Sequence, residues 1–297
     1  MKRFLARNAP GYLFLSPWLL GFFLLALGPI LASLYLSFTR YDMVSDPRWI
    51  GLGNYEYMFT RDRRFWKALE VTFTYVAFAV PLRLAFALAV AMLLDKGLRT
   101  IGLYRAIFYL PSLLGASIAI AILWRELFSA TGVVNQMLAL IGIEGTDWIT
   151  NPKTSLYTLV MLAVWQFGSP MLIFLAGLRG IPKDLYEAAE IDGTPRWRRF
   201  TRITLPLLAP VIFFNLVLQT IESFKTFSSA FIISNGTGAP ADSLLFFTVY
   251  LFNEAFKFFR MGYASALAWV LLIIIGVFTA LAFLSSKYWV HYDNDRD

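Results

Sequence analysis

Polar side chains recur on one face of an otherwise apolar stretch in the last third of the chain. Gln219, Glu222, Ser223 and Thr226 are spaced i, i+3, i+4 and i+7, which places all four on one side of an α-helix. An amide, a carboxylate and two hydroxyls together donate and accept hydrogen bonds, as sugar hydroxyls do. Because polar residues in membrane-type helices mark functional sites by default, this stripe predicts one wall of a passage for a polar solute. Bonding only to neighbouring helices is the alternative.

Three more residues are candidates for the same passage. Arg83 lies within the apolar run Val80-Pro-Leu-Arg-Leu-Ala, where an unpaired guanidinium costs about 2.5–3.5 kcal/mol. It therefore requires a carboxylate such as Glu222, a cluster of carbonyls, or water. Trp165 and Ser169 offer a stacking ring and a hydroxyl to a sugar. A structural ion pair for Arg83 and core packing for Trp165 stay open as alternatives.

Few other residues are equipped for chemistry. The chain has no cysteine and one histidine, His291, which excludes thiol catalysis and disulfides and argues against a histidine relay or zinc site. We therefore expect no catalytic residue and no metal ligand. A membrane enzyme would need a cluster of His, Asp, Ser or Lys at one membrane face, and the sequence offers none.

The segment from Ile181 to Pro206 has consistent local signals for two short helices. Pro182 suits the first position of a helix and Asp184 its first turn, whereas Gly193 is the residue that ends a helix in a left-handed conformation. Thr194 and Pro195 then predict the cap and first residue of a second helix. In that second helix, Trp197, Phe200 and Ile203 share a face, and Arg196, Arg199 and Arg202 are expected to point away from it.

The first helix of this segment carries a small-sided face with polar neighbours. Leu185, Ala188 and Ala189 recur at helical spacing, and the two alanines permit close approach by another protein. Tyr186, Glu187 and Glu190 surround them with groups of defined hydrogen-bonding geometry. The pattern favours a docking site over a plain connection between helices.

The elements that must position these residues are membrane helices. The 297 residues are 58% hydrophobic and 15% charged, against about 45–50% and about 25% in soluble domains. A membrane crossing needs about 20 apolar residues. Six stretches qualify, so we predict an all-α integral membrane protein with six transmembrane helices: 12–38, 71–94, 106–128, 156–178, 205–221 and 264–285.

Charge predicts the orientation of these helices. The densest uncompensated basic cluster is Arg196-Trp197-Arg198-Arg199, and positive loops stay in the cytoplasm. We therefore predict both termini and the Glu187 loop on the cytoplasmic side. The formal charge of +7 is then explained by such loops and by anionic membrane lipid rather than by nucleic acid.

Several motifs resemble one family of membrane proteins. Glu187-Ala188-Ala189, Gly193 and Ile203-Thr-Leu-Pro206 are similar to the EAA motif of binding-protein-dependent ABC importer permeases. The stretches Trp49–Tyr55, Phe65-Trp66, Phe108–Pro111 and Met261–Ala264 resemble the sugar and glycerol-phosphate branch, the maltose- and lactose-type permeases. The likeness extends over about residues 12–285.

The resemblance implies a fold, a site and a set of partners. The fold would be the type I (MetI-like) permease bundle in a bacterial plasma (inner) membrane, with a coupling site for the ATPase formed by Tyr186, Glu187, Ala188, Ala189, Glu190, Asp192 and Gly193. The helix of the polar stripe would line the sugar path. Partners would be a second homologous permease subunit in a heterodimer, a cytoplasmic ATPase dimer, and a periplasmic or lipid-anchored solute-binding protein.

The resemblance also implies where ATP is used. The sequence lacks the Gly-rich loop with Gly-Lys-Ser/Thr that binds nucleotide phosphates. We therefore expect this chain to bind no cofactor and not to be an enzyme, with ATP and Mg²⁺ used by the partner ATPase.

We divide the chain into three parts: 1–68, with the N-terminal tail, first span and external loop; 69–286, with five spans and coupling helices at 182–204; and a cytoplasmic tail, 287–297. The expected function is ATP-driven uptake of a carbohydrate. A peptide or phosphate-ester importer is the runner-up, and an ion-coupled secondary transporter is a remote alternative because neither buried carboxylates in several spans nor inverted repeats are visible.

Overall fold

The computed structural model describes residues 2–95, 101–115 and 117–290, with the side chains of residues 11, 13–95, 102–115 and 117–290. Most of the predicted tail 287–297, including His291, lies outside these residues. The chain divides into two compact units, Met1–Asp62 with Leu251–Leu272, and Arg63–Tyr250 with Ile273–Asp297.

The first unit holds the first membrane helix and a short two-stranded ladder. Its elements are α1 (Lys2–Gly21), a π-helical turn (Phe22–Leu27), α2 (Gly28–Ser37), β1 (Thr39–Arg40), β2 (Arg48–Trp49) and α3 (Gly53–Thr60). Strands β1 and β2 are antiparallel, with Thr39 opposite Trp49. The side-chain amide of Asn54 donates to the carbonyls of Ser37 (2.8 Å) and Thr39 (2.9 Å), so α3 is fastened to the end of α2.

The second unit is a helical bundle. Its elements are α4 (Arg63–Asp95), α5 (Ile101–Leu114), α6 (Ile118–Leu127), α7 (Val133–Leu140), α8 (Ser155–Trp165), α9 (Gly168–Gly180), α10 (Lys183–Ile191), α11 (Arg196–Arg199), a π-helical turn (Phe200–Thr204), α12 (Leu205–Phe224) and α13 (Ser228–Ile233). After α13 come α14 (Phe247–Phe252), a π-helical turn (Asn253–Lys257) and α15 (Met261–Ser286); the residues of this stretch from Leu251 to Leu272 belong to the first unit.

Helix α4 is the centre of this bundle and packs against α8, α9 and α12. Phe65, Phe174, Leu208 and Phe246 are fully buried. The hydroxyl of Thr72 on α4 accepts a hydrogen bond from the backbone amide of Phe247 at 2.9 Å. Because burial of apolar side chains does not by itself hold helices together in lipid, such close packing and interhelical hydrogen bonds must do so.

Four of the six predicted spans correspond to helical stretches long and apolar enough to cross a membrane: Leu13–Ser37, Arg63–Asp95, Arg196–Ile233 and Met261–Ser286. The predicted span 156–178 is instead two helices, α8 and α9, bent by 42°. The predicted span 106–128 was wrong as a single helix, since α5 and α6 meet at 94°.

Ser117 and Gly168 lie at the two breaks. Ser117 caps α6 by accepting the amide of Ala119 on its hydroxyl at 3.2 Å, which ends α5 and starts a new helix. At the other break, a Cβ on Gly168 would lie 2.7 Å from the carbonyl oxygen of Phe108. Only glycine therefore allows α9 to approach the backbone of α5 this closely.

Candidate functional site

A polar cavity of about 470 Å³ lies in the second unit. All four residues of the predicted stripe on and after α12 line it: Gln219, Glu222, Ser223 and Thr226. Gln219 and Ser223 are only 7% and 6% exposed. The exposed Glu222 pairs with Lys225 at 2.9 Å. The helical spacing seen in the sequence thus places these groups together.

Arg83 on α4 lines the same cavity and is half-buried. Its Nε and Nη2 donate to the backbone carbonyl of Gln166 at 3.0 and 2.6 Å, and the hydroxyl of Ser112 donates to the same oxygen at 2.9 Å. Among the residues that the structure describes, Arg83 and Glu222 form no ion pair. The sequence left a carboxylate, carbonyl groups or water as partners of Arg83, and in the structure the partner is a backbone carbonyl.

The break between α8 and α9 explains this partner. Gln166 follows the last residue of α8, where carbonyl groups lack intrahelical donors. The side-chain amide of Gln166 donates to the carbonyl of Gly115 at the end of α5, at 3.1 Å. Gln166 and Gly115, one at each helix break, therefore lie beside the cavity with Arg83. Non-helical backbone inside a membrane is stable only where protein or a polar cavity provides its hydrogen-bond partners.

Ser169 lines the cavity, whereas Trp165 does not belong to its lining. The ring of Trp165 instead lies 6.0 Å from that of Trp124, which is the packing arrangement that the sequence left open. Sequence reasoning missed other lining residues: Tyr75, Ser117, Lys225, Ser228 and Ser229. The run Ser228-Ser229, directly after the polar stripe, was the one available signal.

The segment after α9 forms a helical hairpin of α10 and α11. Helix α10 begins at Lys183 after Pro182 and ends in a Schellman motif: the amide of Gly193 donates to Glu190 (3.0 Å) and that of Thr194 to Ala189 (2.9 Å). Gly193 has φ +67°, the left-handed conformation that this motif requires. The predicted turn is confirmed at Gly193.

Three details of the hairpin differ from the prediction. Pro182 is the cap of α10 and not its first residue, because it has extended backbone angles. Helix α11 begins at Arg196 with Pro195 as its cap, one residue later than expected, because Pro195 has extended backbone angles. Arg199 does not point away: its side chain is 19% exposed and its Nη1 lies 3.3 Å from Glu190 Oε2. The opposite charge on α10 turns this one arginine inward.

The hairpin has an inner and an outer face. On the inner face, Ala189 is buried and the hydroxyl of Tyr186 lies 2.8 Å from that of Thr204. On the outer face, Glu187, Ala188 and Asp192 are exposed, as is Ile191 at 87%. The predicted coupling residues therefore divide between those that hold the hairpin and those that another protein can reach.

Comparisons with known proteins agree with one another. The chain is 52% identical over 291 residues to the probable ABC transporter permease protein YesP of Bacillus subtilis, covering 98% of this chain and 94% of that protein. It is 34% identical to the lactose transport system permease protein LacF of Rhizobium radiobacter, covering 97% and 96%.

A crystal structure of a bacterial alginate ABC transporter, in complex with an alginate pentasaccharide-bound periplasmic protein, has the same fold. One of its chains matches with a TM-score of 0.80 and 21% identity, over 97% of each chain. Residues 60–290 match the family described as binding-protein-dependent transport system inner membrane component. This chain therefore belongs to that family: it is a multi-pass inner-membrane permease of a binding-protein-dependent transport system.

Proposed function

We propose that this permease takes up a carbohydrate, delivered by a solute-binding protein, in an ATP-driven importer. The observation that carries the proposal is the cavity beside α12, where six of the seven residues proposed for the substrate path come together. Its amide, hydroxyl and carboxylate groups suit sugar hydroxyls. The 34% identity to a lactose permease over nearly the whole chain supports the same cargo class.

The partners follow from the family. A second permease subunit would complete the passage, and a cytoplasmic ATPase dimer would bind the exposed face of α10 and use ATP and Mg²⁺. Charge reversal at the exposed Glu187 by Glu187→Lys should then abolish ATPase binding and uptake while leaving the chain in the membrane. Glu144→Lys, an equally exposed reversal in another loop, is the control. Normal ATPase binding by the Glu187 variant would contradict the docking role.

Both termini and the α10–α11 hairpin are proposed to face the cytoplasm. The natural sequence has no cysteine, so single cysteines at Thr194 and Thr60 report the orientation directly. An impermeant thiol reagent added to intact cells should label the residue-60 variant and not the residue-194 variant. The opposite labelling would reverse the proposed orientation.

An acidic saccharide or a phosphate ester is the second candidate cargo. Lys225 and Glu222 pair with each other, whereas Arg83 donates its hydrogen bonds to a neutral backbone carbonyl, that of Gln166. The positive charge of Arg83 is therefore not neutralised by a carboxylate of the cavity and is available to an anionic group.

The decisive experiment identifies the cargo of the partner binding protein by calorimetry with neutral saccharides, acidic saccharides, phosphate esters and peptides. Uptake of the best ligand is then measured in vesicles with and without internal ATP, and after collapse of the ion gradients. We expect saccharide binding and uptake that requires ATP. Binding of peptides alone would overturn the carbohydrate assignment, and uptake that follows the ion gradient instead of ATP would favour a secondary transporter.

A further inference from the structure

A second polar cavity, which we call the distal pocket, lies in the same unit. It has a volume of about 290 Å³, near the lower end of the roughly 300–1,000 Å³ that small-ligand sites span. Its polar lining includes Arg125, Glu126, Asp147, Thr150, Ser234 and Asn235.

Helices α6 and α13 connect the two cavities. They pack against each other, and the cap of α6, Ser117, and the first residue of α13, Ser228, line the larger cavity. The distal pocket is lined by residues at their opposite ends, Arg125 and Glu126 on α6 and Ile233 on α13. At 1.5 Å per residue, the rise from Ser117 to Arg125 along α6 is about 12 Å, and that from Ser228 to Ile233 along α13 is about 8 Å.

Ser234 gives the first sign that the distal pocket is built for a ligand. Its side chain is 2% exposed, and its hydroxyl has no hydrogen-bond partner among the described residues. A buried hydroxyl without a partner is destabilising, and such a group calls for an explanation. A ligand hydroxyl in the pocket would satisfy it.

Two neighbours of Ser234 keep free hydrogen-bonding atoms. Asp147 uses Oδ1 to accept the amides of Ile149 and Thr150 (both 3.1 Å), and its Oδ2 accepts no hydrogen bond within the described part of the chain. Asn235 uses Oδ1 to accept from Arg125 at 2.7 Å, which leaves its side-chain amide as a donor. The pocket therefore offers a donor, an acceptor and a hydroxyl.

The charges of the pocket select a neutral ligand. The guanidinium of Arg125 lies 3.7 Å from the carboxylate of Glu126, so its positive charge would repel a metal ion bound at that carboxylate. The two carboxylates of Glu126 and Asp147 in turn outnumber the single cation and oppose an anion. A neutral compound that both donates and accepts hydrogen bonds fits these groups, and sugars are such compounds.

We propose that the distal pocket is a second carbohydrate subsite, which binds one sugar ring of the cargo about 8–12 Å from the cavity beside α12. This inference rests on the proposed carbohydrate cargo. It adds a binding position that holds an oligosaccharide at two points, or a monosaccharide at successive points, along α6 and α13.

The test uses the complete transporter without its binding protein and a single cysteine in place of Thr150, which is exposed and lines the pocket. Maltose and lactose are the probes, and the rate of thiol labelling is the readout. We expect each bound sugar to slow labelling at residue 150 at least threefold. A cysteine in place of Thr131, exposed and outside the pocket lining, should be labelled at an unchanged rate.

The variant Ser234→Ala then tests the mechanism of binding. Loss of one hydrogen bond should raise the sugar concentration for half-protection about threefold to tenfold. Absence of protection at residue 150, equal protection at residue 131, or protection that Ser234→Ala leaves unchanged would each overturn the subsite. ATP-dependent uptake of the same sugars by the intact system is measured in parallel. If uptake occurs without protection at residue 150, the subsite is wrong and the proposed function is not affected.

Discussion

The α10–α11 hairpin is held by contacts between residues close in the chain, whereas the cavity beside α12 joins residues far apart. Tyr186 reaches Thr204, 18 residues away, and the turn between the helices is closed by backbone bonds at Gly193. In the cavity, Arg83 meets a carbonyl 83 residues away, and Gln166 meets one 51 residues away.

This difference suits two different tasks. A unit closed by its own local bonds keeps its shape when it is displaced, so the hairpin can transmit a movement. A cavity with walls from α4, α8, α9, α12 and α13 changes its shape when any of these helices shifts. Substitutions that distort the hairpin should therefore stop transport, whereas each single substitution in the cavity should reduce uptake only in part.

The largest effect is expected from Gly193→Val. A non-glycine residue in the left-handed conformation costs about 1–2 kcal/mol, or roughly tenfold in the population of the native turn. A β-branched side chain at φ +67° is worse still. We expect uptake and co-purification of the ATPase to fall by more than tenfold.

Gly180→Ala is the matched control, because a Cβ there meets no atom within 4 Å. If the Gly193 and Gly180 variants transport equally well, the function of the hairpin does not depend on the turn at Gly193. The proposed difference between the hairpin and the cavity would then be wrong.

Gly115→Ala should have the next largest effect. The added Cβ would lie 2.3 Å from Cδ of Gln166, so the Gln166 side chain must leave and lose its hydrogen bond to the Gly115 carbonyl. Loss of about 1 kcal/mol predicts roughly fivefold lower uptake. Gly102→Ala on α5, with open space around its Cβ, should transport normally; equal losses in both variants would exclude this contact as the cause.

Smaller losses are expected along the polar stripe. Gln219→Ala and Ser223→Ala each remove one hydrogen bond to the cargo, typically about 0.5–1.5 kcal/mol, so uptake should fall several-fold. The affinity of the solute-binding protein for its cargo should stay unchanged. Leu216→Ala, outside the lining of this cavity, should do less; an equal effect would make the stripe a packing surface.

The smallest effect is expected from Tyr186→Phe, which removes the bond to the Thr204 hydroxyl. We expect the free energy of unfolding to fall by about 1 kcal/mol and uptake to stay within about twofold, because the backbone bonds of the hairpin remain. Tyr104→Phe is the control, since the Tyr104 hydroxyl makes no hydrogen bond in the described part of the chain. A tenfold loss of uptake in the Tyr186 variant would show that the hydroxyl has a role in coupling.

The sequence predicted the hairpin almost to the residue. Pro182 and Gly193 act through the backbone angles of their own positions, so their effect is readable without knowing the fold. The orientation of Arg199 was mispredicted because its partner, Glu190, lies on the preceding helix, and helical periodicity within α11 carries no information about that helix.

Membrane helices and the polar stripe were also determined by the sequence, since hydrophobic length and a 3.6-residue period are local properties. The tertiary structure alone decided the partner of Arg83, the 94° angle between α5 and α6, and the place of Trp165 outside the cavity. Each depends on which carbonyls a helix break leaves free and which helix lies opposite. Those facts arise only when segments distant in the chain pack together.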